Sequence, residues 1–156
     1  MRDPNLTITF LEPEETYELR HQILRPHQTI DDCKYPLDFE SATFHVGAFV
    51  EGELVSVASF FKEIQPQITG DHHYRLRGMA TLVSHRNQKA GSHLIHFAED
   101  YLRKKGASHW WCNARTNVQG YYSRFGMYIE GELFDIPPIG PHILMVKELS
   151  PGSNKR

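Results

Sequence analysis

The sequence has 156 residues, 40% of them apolar and 23% charged, a balance that fits one globular domain with a single core. Its formal net charge of −2 argues against a nucleic-acid binder, whose phosphate contacts need clustered positive charge. No apolar run approaches the roughly 20 residues of a membrane helix, and Cys33 and Cys112 are too few for a disulfide framework. Met1-Arg2-Asp3-Pro4-Asn5 does not resemble a signal peptide, so a reduced, cytoplasmic setting is expected.

Leu6 to Leu11 alternates and reads as a strand. Pro13 starts a helix with Glu14 and Glu15 in its first turn, and Pro26 ends it. Residues 26–42 lack periodicity and read as a loop that borders a site. Thr43 to Val50 and Leu54 to Glu63 form a hairpin about Glu51-Gly52-Glu53. Ile64 to Asp71 is a loop, and Tyr74 to Val83 is a further strand. From Gly91 the period becomes helical, with Leu94, Ala98, Tyr101 and Leu102 on one face and Gly106 as the stop. His109 to Ala114 is a strand, and Val118 to Arg124 a short helix closed by Gly126. Met127 to Phe134 and His142 to Glu148 are the last strands, flanking Pro137-Pro138. The expectation is an α/β (α+β) domain over residues 1–149, with a mixed, mostly antiparallel sheet flanked by helices and a frayed polar tail over 150–156.

The chemically informative stretch is a strand, a polar turn and a helix. Ala80-Thr81-Leu82-Val83 runs into Ser84-His85-Arg86-Asn87-Gln88-Lys89-Ala90-Gly91-Ser92. A tight turn feeding a helix start leaves several backbone N–H groups pointing one way, an arrangement suited to a pyrophosphate. Gly91 allows close approach, and Arg86 and Lys89 add positive charge. On local sequence alone, an ordinary strand-to-helix turn with a solvated basic edge is the plainer reading of the same residues.

Arg86 to Ser92 resembles the coenzyme A loop, Gln/Arg-x-x-Gly-x-Gly/Ala, of the Gcn5-related N-acetyltransferase (GNAT) family, with Lys89 where glycine is usual. Tyr122-Ser123-Arg124-Phe125-Gly126-Met127 is similar to that family's Tyr-x-x-x-Gly-Phe segment. The resemblance implies the acyl-CoA N-acyltransferase fold, acetyl-CoA as cosubstrate, no metal, and an amine acceptor. It implies that the pantetheine arm lies along Ala80, Thr81, Leu82 and Val83, with an N–H near Leu82 polarising the thioester carbonyl. The loop residues Arg86, Asn87, Gln88, Lys89, Ala90, Gly91 and Ser92 would hold the phosphates. Tyr122 becomes the candidate general acid, a packing aromatic being its plainer reading. His142 is the candidate base, with Glu130, Glu132, His72 and His73 as rivals.

The amine is expected to attack acetyl-CoA directly in a ternary complex. The alternative is a non-catalytic acyl-CoA-binding module of the same fold. His93, His96 and Asp100 share a helix face, but the His-Glu-x-x-His pattern is absent, and a solvated polar face is the simpler reading. His72-His73 reads as a loop pair or part of an acceptor rim. Cys112, beside Trp110 and Trp111, reads as a buried and inert thiol. Edge strands near the C-terminus suit a homodimer.

Overall fold

Seven of the apolar runs form strands: β1 (Leu6–Leu11), β2 (Phe44–Val50), β3 (Glu53–Lys62), β4 (His73–Thr81), β5 (His109–Arg115), β6 (Tyr128–Ile136) and β7 (Gly140–Glu148). They are hydrogen-bonded in the order β1-β2-β3-β4-β5-β7-β6. Pairs β1–β2, β2–β3, β5–β7 and β6–β7 are antiparallel, and β4–β5 is parallel. The computed structural model describes residues 5–149, apart from the side chains of 87 and 88. The tail expected over 150–156 lies outside the described residues. The helices are α1 (Tyr17–Leu19), α2 (Ala90–Lys104) and α3 (Gln119–Ser123). This is the mixed sheet with helices that the sequence predicts.

Internal contacts divide the chain into two units: residues up to Phe61 with Leu76–Tyr101, and Lys62–Arg75 with residues from Leu102 onward. In the first, the β2–β3 hairpin turns through Glu51 and Gly52 at φ 51° and 83°, the left-handed pair that a two-residue turn between right-twisted strands needs. Alternation along β1 sends Phe10 and Leu11 to opposite faces. On one face Leu11 packs with Leu19, Val57 and Ala80, and with Ile23 and Leu24 behind α1. On the other, Phe10 meets Phe97 and Tyr101 of α2 edge-on at 5.2 and 4.9 Å, and Phe44 stacks on Phe60 at 5.1 Å. Helices thus cover both faces of these strands.

The first helical stretch is mixed rather than purely α. A 3-10 turn over Pro13–Thr16 precedes α1, and a π-helical turn over Arg20–Leu24 follows it. The π-turn carries Arg20, which is fully buried. Its guanidinium donates to both Asp38 carboxylate oxygens at 2.8 and 2.9 Å, to the Cys33 carbonyl at 2.8 Å and to Ser59 Oγ at 2.8 Å. Buried His45 completes the network: Nε2–H donates to the Asp38 carbonyl at 3.0 Å, and Ser59 O–H donates to Nδ1 at 2.7 Å. These bonds tie the aperiodic segment 26–42, which carries a 3-10 turn over Ile30–Cys33, to β2 and β3.

In the second unit, Trp111 of β5 donates from Nε1 to the Glu63 carbonyl at 2.9 Å and packs with Ile68, Leu144 and Val146. Trp110 and Cys112 are buried, as their sequence context predicts. His73 departs from the loop-pair reading. It is a fully buried residue of β4 whose Nδ1 accepts the Gln65 amide at 3.1 Å while Nε2–H donates to the Thr69 carbonyl at 2.8 Å. It braces the 64–71 loop from within.

Candidate active site

Strand β4 ends at Thr81, two residues short of the expected Val83, because a 3-10 turn over Val83–Gln88 takes over. Lys89 closes that turn in the left-handed region, at φ 63° and ψ 18°. Left-handed backbone costs an L-residue about 1–2 kcal/mol and glycine almost nothing, which accounts for the usual glycine at this point of the motif. The Lys89 carbonyl accepts the first helical bond, from the His93 amide at 3.1 Å. The amides of Ala90, Gly91 and Ser92 precede that bond in the first turn of α2, the part of a helix whose N–H groups lack intrahelical partners. Ala90 and Gly91 are buried, and Arg86 and Lys89 are exposed. Arg86 Nε leans back to the Thr81 carbonyl at 3.4 Å. Asn87 and Gln88 take part through the backbone of the 3-10 turn, and their side chains lie outside those described.

The strand feeding this turn changes character along its length. It pairs in parallel over His73–Arg75 with His109–Trp111. Gly78, at φ 66°, interrupts the extended backbone of the strand. On the β3 side, Thr81 Oγ1 and Ser56 Oγ share a hydrogen bond of 2.8 Å. The Leu82 amide, read from sequence as a free donor to a thioester, instead donates to the Val55 carbonyl at 2.8 Å. It continues the ladder with β3 and is committed there.

Tyr122 and His142 both lie in the second unit, and no hydrogen bond joins them among the described residues. Tyr122 sits on α3, its ring 6.4 Å from that of Phe125. Loss of water pushes its hydroxyl far above the ordinary tyrosine value, helped by neighbouring Cys112 and Tyr121 and opposed by Arg115. The hydroxyl therefore keeps its proton at neutral pH. His142, buried at the start of β7, stands opposite Arg115 in the β5–β7 register and beside Phe134. Its Nδ1–H donates to the Gly140 carbonyl at 2.8 Å, which leaves Nε2 outside that bond.

The other candidates fall out differently. Glu130 and Glu132 line a hollow of about 360 Å³ with Gln65, Gln67, Asn113, Phe134 and Leu144. Cys112 is buried, and burial pushes its thiol up to about 12, which removes it as a nucleophile. Among the described residues no group of three His, Cys, Asp or Glu side chains is placed to hold a metal ion. Reading the sequence missed the Arg20–Asp38 network, because a buried arginine and an acid 18 residues away share no period.

The mixed seven-stranded sheet with its helices is the acyl-CoA N-acyltransferase fold. The model of the acetyltransferase (GNAT) family matches residues 8–127. An uncharacterized N-acetyltransferase of Bacillus subtilis (strain 168), YitI, is 52% identical over 144 residues, covering 92% of this chain and 97% of that protein. An aminoglycoside 6'-N-acetyltransferase solved with coenzyme A superposes with a TM-score of 0.75 at 15% identity, covering 93% of this chain and 98% of that one. A GNAT-family acetyltransferase from Streptococcus pneumoniae gives 0.68 at 18% identity, covering 93% and 99%. The chain belongs to the GNAT family and is an acetyl-CoA-dependent N-acetyltransferase.

Proposed function

We propose that the chain moves the acetyl group of acetyl-CoA onto a primary amine by direct attack in a ternary complex, with residues 1–149 acting as one acetyltransferase domain. The observation that supports this reading is the left-handed residue Lys89 between the 3-10 turn and α2, which puts the amides of Ala90, Gly91 and Ser92 in the first turn of a 15-residue helix. These amides and the helix dipole suit a pyrophosphate, and the exposed Arg86 and Lys89 add charge. The end of β4 that leads into this turn suits an extended pantetheine arm bonding as an added strand would.

Because Leu82 serves Val55, alternation along the strand passes the role of carbonyl-polarising donor to the Thr81 amide. His142 Nε2 accepts a proton from the attacking amine as the N–C bond forms. Tyr122 donates its hydroxyl proton to the departing sulfur as the C–S bond breaks, and so replaces an anionic leaving group with a neutral thiol.

The direct test is calorimetry with acetyl-CoA on the folded protein and on Gly91→Asp. A side chain and a negative charge against the diphosphate should weaken binding at least tenfold. Equal affinity would place the diphosphate elsewhere.

A further inference from the structure

The hollow of about 360 Å³ in the second unit carries charge of one sign. Glu130 and Glu132 line it together with the uncharged amides of Gln65 and Gln67, and its lining holds no lysine, arginine or histidine. Neither carboxylate has a salt-bridge partner among the described residues. Phe134 and Leu144 add apolar wall. Uncompensated negative charge beside an aromatic ring suits a cation carried on a carbon skeleton.

A break in β6 builds this lining. Glu130 pairs with Leu144 and Phe134 with His142, so four steps along β6 answer two along β7. The surplus residues bulge, with Gly131 in the left-handed region at φ 84°. Bulges re-aim side chains, and this one leaves both glutamates on the same hollow. A Cβ on Gly131 would stand 3.7 Å from Gln67 Nε2, so the 64–71 loop reaches the bulge. His142 stands at the wall that Phe134 forms, with the two rings 6.0 Å apart. It is 5% exposed, its Nδ1–H is given to the Gly140 carbonyl, and no hydrogen bond among the described residues reaches Nε2. Polar atoms of buried side chains are normally paired, so this nitrogen calls for a bound solute. His142 and Leu144 share a face of β7, roughly 7 Å apart along the strand. A small molecule can therefore set one nitrogen at His142 and another at the glutamates.

We infer that Glu130 and Glu132 form a cation subsite beside His142, so that the acceptor is a small amine bearing a second positive charge, of the diamine or diamino-sugar class. The reacting nitrogen lies neutral at His142, while the second, protonated nitrogen is held by the carboxylates. An ammonium offers three donors and a full charge, where a hydroxyl in the same place offers one donor and none. The inference rests on the amine-acetylation reading given above.

The test compares matched pairs in which one amine is exchanged for a hydroxyl: putrescine with 4-amino-1-butanol, cadaverine with 5-amino-1-pentanol, and 2,6-diamino-2,6-dideoxyglucose with glucosamine. CoA release is followed for the unaltered protein, Glu130→Gln, Glu132→Gln and the double variant. For at least one pair the diamine should be preferred in kcat/KM at least tenfold, beyond the doubling that a second reactive amine gives by number alone. The pair that shows it tells a flexible chain from a sugar ring. That preference should fall in each single variant and at least tenfold in the double one, through KM for the diamine. In the unaltered protein it should also shrink as salt is raised. Hydroxyl partners turned over as well as diamines, or a preference that survives the double variant, overturns the subsite while leaving the acetyltransferase reading intact. So does a kcat on the hydroxyl partner that falls tenfold in either single variant, since that glutamate would then be the base. If no pair is turned over, calorimetry of the same pairs on CoA-saturated protein decides. Binding of a diamine that its hydroxyl partner and the double variant both lack supports the subsite and removes direct amine acetylation for these acceptors. Absence of binding by every diamine overturns the subsite.

Discussion

Gly78 and Tyr122 show how much rests on single residues. A Cβ at Gly78 would lie 3.0 Å from Arg20 Nε and 3.2 Å from a Tyr35 ring carbon, in a backbone at φ 66° that side chains disfavour. Left-handed strain and overpacking add, so Gly78→Ala should destabilise the protein by about 2–4 kcal/mol in urea unfolding. A midpoint within error of the parent would mean that neither contact is tight. Tyr122→Phe keeps the ring and removes the proton. Turnover should fall at least tenfold while acetyl-CoA affinity measured by calorimetry stays close to the parent's. Unchanged turnover would return Tyr122 to a packing role. The motif located Tyr122 and the Lys89 position in the sequence because each sits at a fixed spacing from a glycine. Arg20 and Tyr35 were not legible, since their importance comes from partners brought together by folding.

Among the elements, the segment between α1 and β2 depends most on one set of bonds. Asp38 is 2% exposed and joins Arg20 of the π-turn to the Tyr35 amide, while Ser59 of β3 joins Arg20 to His45 of β2. Asp38→Ala leaves a buried guanidinium without its counter-charge, and should cost about 3–5 kcal/mol in chemical unfolding. A loss under 1 kcal/mol would show that water reaches Arg20 readily. Periodicity and turn residues placed most strands in the sequence, as Glu51-Gly52 did for the hairpin. They could not reveal that Thr81 ends β4 or that Leu82 bonds to Val55, because a strand's last residue is set by its neighbour's backbone.

At the scale of the whole molecule, buried histidines make stability depend on pH. Burial pulls His45 below the ordinary imidazole value of 6.5, against the opposing pull of Asp38. His109 is pulled the same way by burial and by nearby His73. Below pH 6.5 the unfolded chain binds protons that the folded chain still refuses, so stability falls as pH drops through that window and levels off below the folded values. Thermal unfolding between pH 7.5 and 5.5 should show a declining Tm, with a shallower decline in His45→Gln. A Tm that rises on acidification would contradict the buried, neutral state of these rings.

Both thiols, Cys33 and Cys112, are sealed inside the protein, and burial raises the pKa of each. A colorimetric disulfide reagent added to the folded enzyme should therefore register only the sulfhydryl liberated from the nucleotide thioester, with almost no background from the polypeptide. Added during heating, the same dye would light up when the chain opens, so one reagent can time both turnover and denaturation.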